Sequence, residues 1–226
     1  MPPWEDLPPT LQTEEVRPYY EALSRRGLQL WLKRLLDVVG ATVLFVLLGW
    51  LFVILALLIK LDSPGPVFFR QRRVTQFGRE FRIVKFRTMT HRPAAPGDQI
   101  TRGDDPRITR VGAVLRRYRL DEISQLIDIL RGTMSFVGTR PEVPDYVRQY
   151  TPQMWATLLL PAGVTSTASI EFKDEAQILA AAPPGQDAYV TQVLPAKMRL
   201  NLRDVRDFSI GRDLRIAFRT ILAVAT

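Results

Sequence analysis

The chain contains no cysteine. Disulfides, thiolate metal sites and cysteine nucleophiles are therefore excluded. It has a single histidine, His91, so a histidine-rich metal centre is excluded, and a Ser-His-Asp relay would have to use that one ring. Charge and proline are both missing from residues 38–59, "VVGATVLFVLLGWLFVILALLI". Internal repeats and low-complexity tracts are also lacking. If the protein is an enzyme, its chemistry rests on carboxylates, with or without a hard cation such as magnesium.

Arginine is present in excess: the formal net charge is +8 over 226 residues. Such a balance points to polyanionic partners, whether phosphates, anionic lipid or nucleic acid. The length suits one domain with a real core, or one domain plus an anchor.

The uncharged run at 38–59 would reach ~33 Å as a helix, enough to cross a hydrocarbon core. It is apolar all round, unlike a half-exposed surface helix. The alternatives are a buried helix of a soluble core and a cleaved signal peptide. Against the latter, the run starts late, is too long and lacks a small-residue cleavage site. Basic residues flank both ends: Arg25, Arg26, Lys33 and Arg34 before it, and Lys60, Arg70, Arg72, Arg73 and Arg79 after it. Both ends thus qualify for the cytoplasmic side. A helical hairpin that enters and leaves by one face resolves the conflict, with Gly49 the candidate break.

Residues 1–28 read as a flexible arm leading into a short helix. "LDSPGP" at 61–66 is a stop signal. "VFFRQRRV" and "EFRIVKFRTM", joined by "TQFGR", read as a basic β-hairpin with Gly78 in its turn. Residues 91–107 read as a loop. "ITRVGAVLRRYRLDEISQLIDILRG" holds one or two helices ending at Gly132. Ile123, Leu126, Ile127 and Leu130 form a buried stripe, while Asp121, Gln125 and Asp128 fall on another face. "MSFVG" reads as a short strand and "TRPEVP" as a rigid turn. The tail holds two basic amphipathic helix candidates, 188–205 and 211–225, either core-facing or lying in a membrane interface.

Within "RRYRLDEISQLIDIL", Asp121 and Glu122 stand just after Arg116, Arg117 and Arg119. Acidic residues in a first helical turn are a common stabilising device, and that reading suffices for the stretch alone. The same position suits reacting groups. A helix N-terminus and nearby cations favour an anion and keep a carboxylate ionised, and an ionised aspartate can attack phosphorus once the substrate's charge is neutralised.

The order of motifs decides between these readings. "KRLLD" precedes the apolar run; "SPGPVFFRQRR", "FRIVKFRTM", "RITRVGAVLRR", "RLDEISQLIDILRGTMSFVGTRPE" and "PAGVT" follow it. The chain resembles the bacterial sugar transferase family, the polyprenyl-phosphate phosphoglycosyl transferases with one membrane segment, from about Lys33 to the C-terminus. The resemblance implies transfer of a sugar-1-phosphate from a UDP-sugar to polyprenyl phosphate with release of UMP, at the cytoplasmic face of the bacterial inner membrane. It makes Asp121 the nucleophile, which forms a covalent phosphosugar intermediate, and Glu122 its partner, orienting or deprotonating the acceptor. It also implies magnesium at Asp121 and Glu122, and a re-entrant membrane helix. The phosphates of both substrates require cations. The candidates are Arg116, Lys85, Arg87 and Arg140, with Gln125 as a further substrate-binding residue. Gln71 and Arg73 match the family's Q-x-R without an assigned task. The chain departs from the family pattern at Gly49-Trp50 for Ser-Pro, Thr139 for the first proline of Pro-Arg-Pro, Asp128 for asparagine, and "PAGVTS" at 161–166.

The expected architecture is α+β and mostly helical. A membrane-inserted helix at 29–60 follows the arm at 1–28, and a compact cytoplasmic domain at 61–226 carries a small β-hairpin and interfacial amphipathic helices. The expected partners are donor, acceptor and lipid bilayer, without nucleic acid; oligomeric state is open, a homodimer included. The competing reading is a membrane-anchored basic protein that binds anionic lipid without catalysis.

Overall fold

A computed structural model describes residues 1–90, 105–173, 175, 179 and 188–225. The loop expected at 91–107, with His91, thus lies almost wholly outside the described residues. Two short 3-10 turns open the chain, followed by α1 (Arg17–Ser24) and the long α2 (Gly27–Asp62). β1 (Phe68–Val74) and β2 (Glu80–Phe86) form the expected antiparallel hairpin, in register from Phe68 opposite Phe86 to Val74 opposite Glu80. Its turn places Gly78 at φ 74°, left-handed backbone that glycine adopts without strain. Next come α3 (Arg110–Arg117), a 3-10 turn (Leu120–Gln125), α4 (Leu126–Arg131) and β3 (Met134–Val137). α5 (Pro144–Val147), β4 (Ala162–Thr165) and α6 (Thr167–Glu171) follow; β4 pairs parallel with β3. A π-helical turn (Tyr189–Val193) leads into α7 (Leu194–Arg206), and α8 (Ile210–Ala225) ends the described chain.

α2 is helical for 36 residues, which corresponds to ~54 Å. Only 17% of its most apolar stretch is buried, which argues against the helix of a soluble core. The buried residues are Lys33, Asp37, Ala41, Leu55 and Ile59, so one side of the helix lies along the rest of the protein near both ends. At the first end the Arg34 guanidinium donates to the Ile129 and Leu130 carbonyls at 2.6 and 3.0 Å. Asp37 Oδ1 accepts from Ser135 Oγ and the Phe136 N–H, each at 3.0 Å. At the other end Leu55 and Ile59 join Phe86 and Leu115 in one apolar cluster. The break expected at Gly49 is not seen: α2 runs through it without interruption. Packing along one side holds the segment helical, and the run has no proline that would interrupt its hydrogen bonds.

The expectation of a flexible arm is also corrected. Leu7, Leu11, Val16 and Leu23 are buried against Leu159, Leu202, Val205 and Phe208. Each such burial is worth about 1.5–3 kcal/mol, which offsets the cost of ordering a proline-rich segment. The arm's apolar side chains are spread too widely for a periodicity to reveal them.

The two tail helices divide. α7 buries Leu194, Met198, Leu202 and Val205 and is a core element, contrary to the interfacial expectation. α8 leaves Leu214, Phe218, Ile221 and Leu222 exposed, the stripe expected of a helix lying in a membrane interface.

Candidate active site

The site forms where β2, the 3-10 turn and the segment after β3 converge. The outer edge of β2 would present unpaired backbone groups, and the turn and α4 cover them with side chains. The Val84 N–H donates to Asp128 Oδ2 at 2.8 Å, and Ser124 Oγ donates to the Val84 carbonyl at 3.0 Å. Asp128 serves here as a buried acceptor. This stitching brings Glu122 beside Lys85.

The dyad does not begin a regular α-helix, as the sequence suggested. α3 ends at Arg117, and Arg119 adopts φ 52°, which turns the chain before the 3-10 segment. Glu122 is then enclosed. Its Oε1 accepts from Lys85 Nζ at 2.8 Å and from Arg140 Nη2 at 2.5 Å. Arg119 Nη1 lies 3.9 Å from Oε2. The Asp121 carboxylate takes no side-chain hydrogen bond or ion pair among the described residues.

The electrostatics separate the two carboxylates. Burial alone would raise Glu122, but the charges and hydrogen bonds of Arg140 and Lys85 outweigh it and hold the group far below the ordinary carboxylate range. Burial raises Asp121, Glu122 adds to that, and Lys85 and Arg116 oppose it without reversing it. The nearby cations therefore act mainly on Glu122. Neighbouring carboxylates pushed apart in this way are suited to different tasks.

A groove of about 470 Å³ opens beside Glu122. Leu44 and Leu48 of α2 line one side, and Leu126, Ile129 and Phe136 line another. Arg119, Glu122, Arg140 and Lys173 supply polar groups. Asp121 is not part of its lining, so the adjacent carboxylates serve different spaces. A largely apolar trough that also carries charged groups fits an amphiphile with an anionic head.

The sequence-predicted cations meet different fates. Lys85 and Arg140 join at Glu122. Arg116 lies in the last turn of α3 and acts on Asp121 through space, without a hydrogen bond to it. Arg87 is a correction. It is buried, and Nη2 donates to the Ser63 carbonyl and Oγ at 2.6 and 2.9 Å, while Nη1 donates to the Pro64 carbonyl at 3.0 Å. These groups close the C-terminal end of α2, where helix carbonyls lack partners, so Arg87 is not free to hold a phosphate. Gln125 is 1% exposed, lies outside the groove lining, and neither amide atom has a partner among the described residues. Sequence reasoning missed Arg119 and Lys173. The run Arg116-Arg117-Tyr118-Arg119 carries no local sign of which cation turns inward.

For magnesium, no cluster of three or more metal-ligating side chains occurs among the described residues. Asp121 offers a carboxylate without a side-chain partner among the described residues, whereas Oε1 of Glu122 is already shared by two cations. This donor set suits an ion that keeps its waters and takes its remaining ligands from substrate phosphates, which is the habit of magnesium.

Comparison with known proteins places this geometry. The family model described as bacterial sugar transferase matches residues 28–226. A UDP-glucose:undecaprenyl-phosphate glucose-1-phosphate transferase of Caulobacter vibrioides is 36% identical over 225 residues, 98% of this chain and 79% of that protein. A UDP-N-acetylgalactosamine-undecaprenyl-phosphate N-acetylgalactosaminephosphotransferase of Aeromonas hydrophila is 34% identical over 200 residues, 87% of this chain but 44% of its own length. The exopolysaccharide production protein ExoY of Rhizobium meliloti is 34% identical over 211 residues, 85% of this chain and 84% of that protein. With the family model matched from α2 to the C-terminus and similarity extending over most of the chain, this protein belongs to the bacterial sugar transferase family.

Proposed function

We propose that this protein transfers a sugar-1-phosphate from a UDP-sugar to undecaprenyl phosphate, releasing UMP, at the cytoplasmic face of a bacterial inner membrane. The observation that carries the reading is the division of labour between adjacent carboxylates: Glu122 is held by Lys85 and Arg140, whereas Asp121 has no side-chain partner among the described residues. An Asp121 oxygen attacks the phosphorus that bears the sugar. An aspartyl–phosphate bond forms, the bond to the UMP oxygen breaks, and UMP departs. A phosphate oxygen of the lipid acceptor then attacks the same phosphorus. The aspartyl bond breaks, leaving undecaprenyl diphosphate sugar and a free Asp121.

Glu122, kept ionised by two cations, is a weak base. Its task is to hold Arg140 and Lys85 at the junction of groove and nucleophile, where phosphate charge accumulates. The groove beside α2 receives the polyprenyl chain. Magnesium, held by Asp121 and the donor's phosphates, would supply charge neutralisation to the diphosphate. The competing reading, a lipid-binding protein without catalysis, accounts for the exposed faces of α2 and α8 but leaves the clamped dyad without a purpose.

The test is UMP release by purified protein in nanodiscs, with magnesium, undecaprenyl phosphate and a UDP-sugar panel that includes glucose and N-acetylgalactosamine. Absence of release with every sugar would sink the reading. Because the chain has no cysteine, a single cysteine at Arg25 reports topology. Labelling from the cytoplasmic side supports the proposed orientation; labelling from the outside counts against it.

A pH dependence follows from Lys85. Its charge opposes the burial that raises Asp121. Asp121 acts when ionised, so activity is present above its pKa and is lost as pH falls through it. Lys85→Met removes that opposition and is expected to move the acidic limb of the UMP-release profile to higher pH. An unmoved limb would show that Asp121 does not set it.

A further inference from the structure

The Gln71-x-Arg73 pattern has no part in the chemistry above, yet the structure connects it to the site. Arg73 Nη1 donates to the Pro141 carbonyl at 3.0 Å. Its Nε and Nη2 both donate to Gln71 Oε1, at 3.1 and 2.8 Å, so Gln71 orients the guanidinium. The next residue, Val74, donates its N–H to the Glu142 carbonyl at 2.9 Å. The end of β1 thereby grips the carbonyls of both residues that follow Arg140, whose own guanidinium reaches Glu122.

The same short segment is held from its other side. The Glu142 side chain is 6% exposed. It accepts from the Tyr189 hydroxyl on the π-helical turn, and Lys197 Nζ of α7 lies 3.7 Å away. Arg73 and Arg140 repel each other, while Glu142 attracts both. Without that counter-charge the two guanidinium groups would tend to separate. Arg140 is thus held by Arg73 through the backbone of the residue that follows it, Pro141, and through space by Glu142.

We infer that Gln71, Arg73 and Glu142 are positioning residues for the transfer reaction, acting through Arg140 to keep its guanidinium on Glu122. The inference rests on the function proposed above, in which Arg140 works at the junction of donor and acceptor. A displacement of about 1 Å at such a junction can cost on the order of 100-fold in rate.

The experiment is a double-mutant cycle on UMP release. Arg73→Met is expected to lower kcat about 10–100-fold, with the KM for UDP-sugar changed by less than about twofold. Arg73→Lys, which keeps one donor for the Pro141 carbonyl, is expected to recover most of the loss. In an Arg140→Ala background, Arg73→Met and Glu142→Gln should each cost almost nothing further, because residues that act as a unit are not additive. Full additivity in a folded protein overturns the inference. If Arg73→Met does not fold, Gln71→Ala replaces it in the cycle, with a smaller loss that must likewise vanish without Arg140. A second readout does not need activity: amide exchange of the peptide spanning 138–143 should quicken in Arg73→Met and return towards normal in Arg73→Lys. If no UDP-sugar yields UMP, the proposed function falls and exchange alone decides the positioning claim; unchanged exchange overturns it.

Discussion

Asp121→Asn is expected to reduce UMP release by on the order of 1,000-fold or more while leaving the protein folded. The amide matches the carboxylate in size but lacks the electron pair needed to form the aspartyl–phosphate bond. Folding should be spared because the Asp121 side chain has no side-chain hydrogen bond or ion pair to lose among the described residues, and its one local contact is with its own backbone. Burial raises its pKa above the ordinary value, so the charged form is disfavoured in the fold. Linkage then predicts that removing the charge leaves thermal stability unchanged or slightly higher at neutral pH. Intact mass after incubation with UDP-sugar alone should show a phosphosugar adduct on the parent protein and none on the variant. Retained turnover, or an adduct on the variant, would remove Asp121 from the role of nucleophile. A marked fall in melting temperature would instead make its role partly structural.

Gly163→Ala is expected to disrupt folding severely. A Cβ at Gly163 would lie 2.2 Å from the Gly138 nitrogen and 2.3 Å from its carbonyl oxygen. These are backbone atoms, which cannot rotate away as a side chain can. The approach is mutual, since a Cβ at Gly138 would lie 2.5 Å from the Pro161 carbonyl oxygen. Hydrogen bonds lock the crossing: Gly138 N–H donates to the Thr165 carbonyl and Gly163 N–H to the Thr139 carbonyl, each at 2.9 Å. Relieving the clash would separate β3 from β4 and carry Thr139 and Arg140 away from Glu122. Overpacking against backbone should cost at least about 3 kcal/mol. In a chain of this size that lowers the melting temperature by roughly 6–12 °C, with activity falling as well. Gly49→Ala is the contrasting substitution. Nothing lies within 4 Å of its Cβ position, and alanine favours helix over glycine by about 1 kcal/mol. Equal melting temperatures for Gly163→Ala and the parent would contradict the close crossing, and a marked loss for Gly49→Ala would contradict a helix that continues through that point.

Much of the architecture was legible because its causes are local. The uncharged run over 38–59 requires an apolar environment wherever it sits, so α2 followed from composition. The hairpin followed from β-branched and aromatic runs around a turn with Gly78. The glycine at 132 marked the end of α4, but of the stripe expected at Ile123, Leu126, Ile127 and Leu130 only Leu126 is buried, and Gln125 and Asp128, read as lying on another face, are buried instead. The ordered motifs around Asp121 and Glu122 pointed to the family without any coordinates. Other elements had causes remote in the chain. The N-terminal arm reads as polar and proline-rich, and only the surface offered by α7 shows why Leu7, Leu11, Val16 and Leu23 are buried. The pairing of β3 with β4 joins segments too far apart for a turn signal.

Charge shows the limit most plainly. Lys85 and Arg87 are two residues apart on a basic stretch and look interchangeable as phosphate ligands. One meets Glu122 across 37 positions of sequence, whereas the other closes the end of α2. Arg73 was a motif residue without a task until the fold set it against Pro141, 68 positions away. By itself the sequence determined the family, the apolar helix, the hairpin and the position of the acidic pair, because each is encoded in neighbouring residues. The tertiary structure alone decided which cation holds which carboxylate, which carboxylate faces the groove, and which arginines belong to the scaffold. An ion pair is set by distance and burial, and these arise only when distant segments pack together.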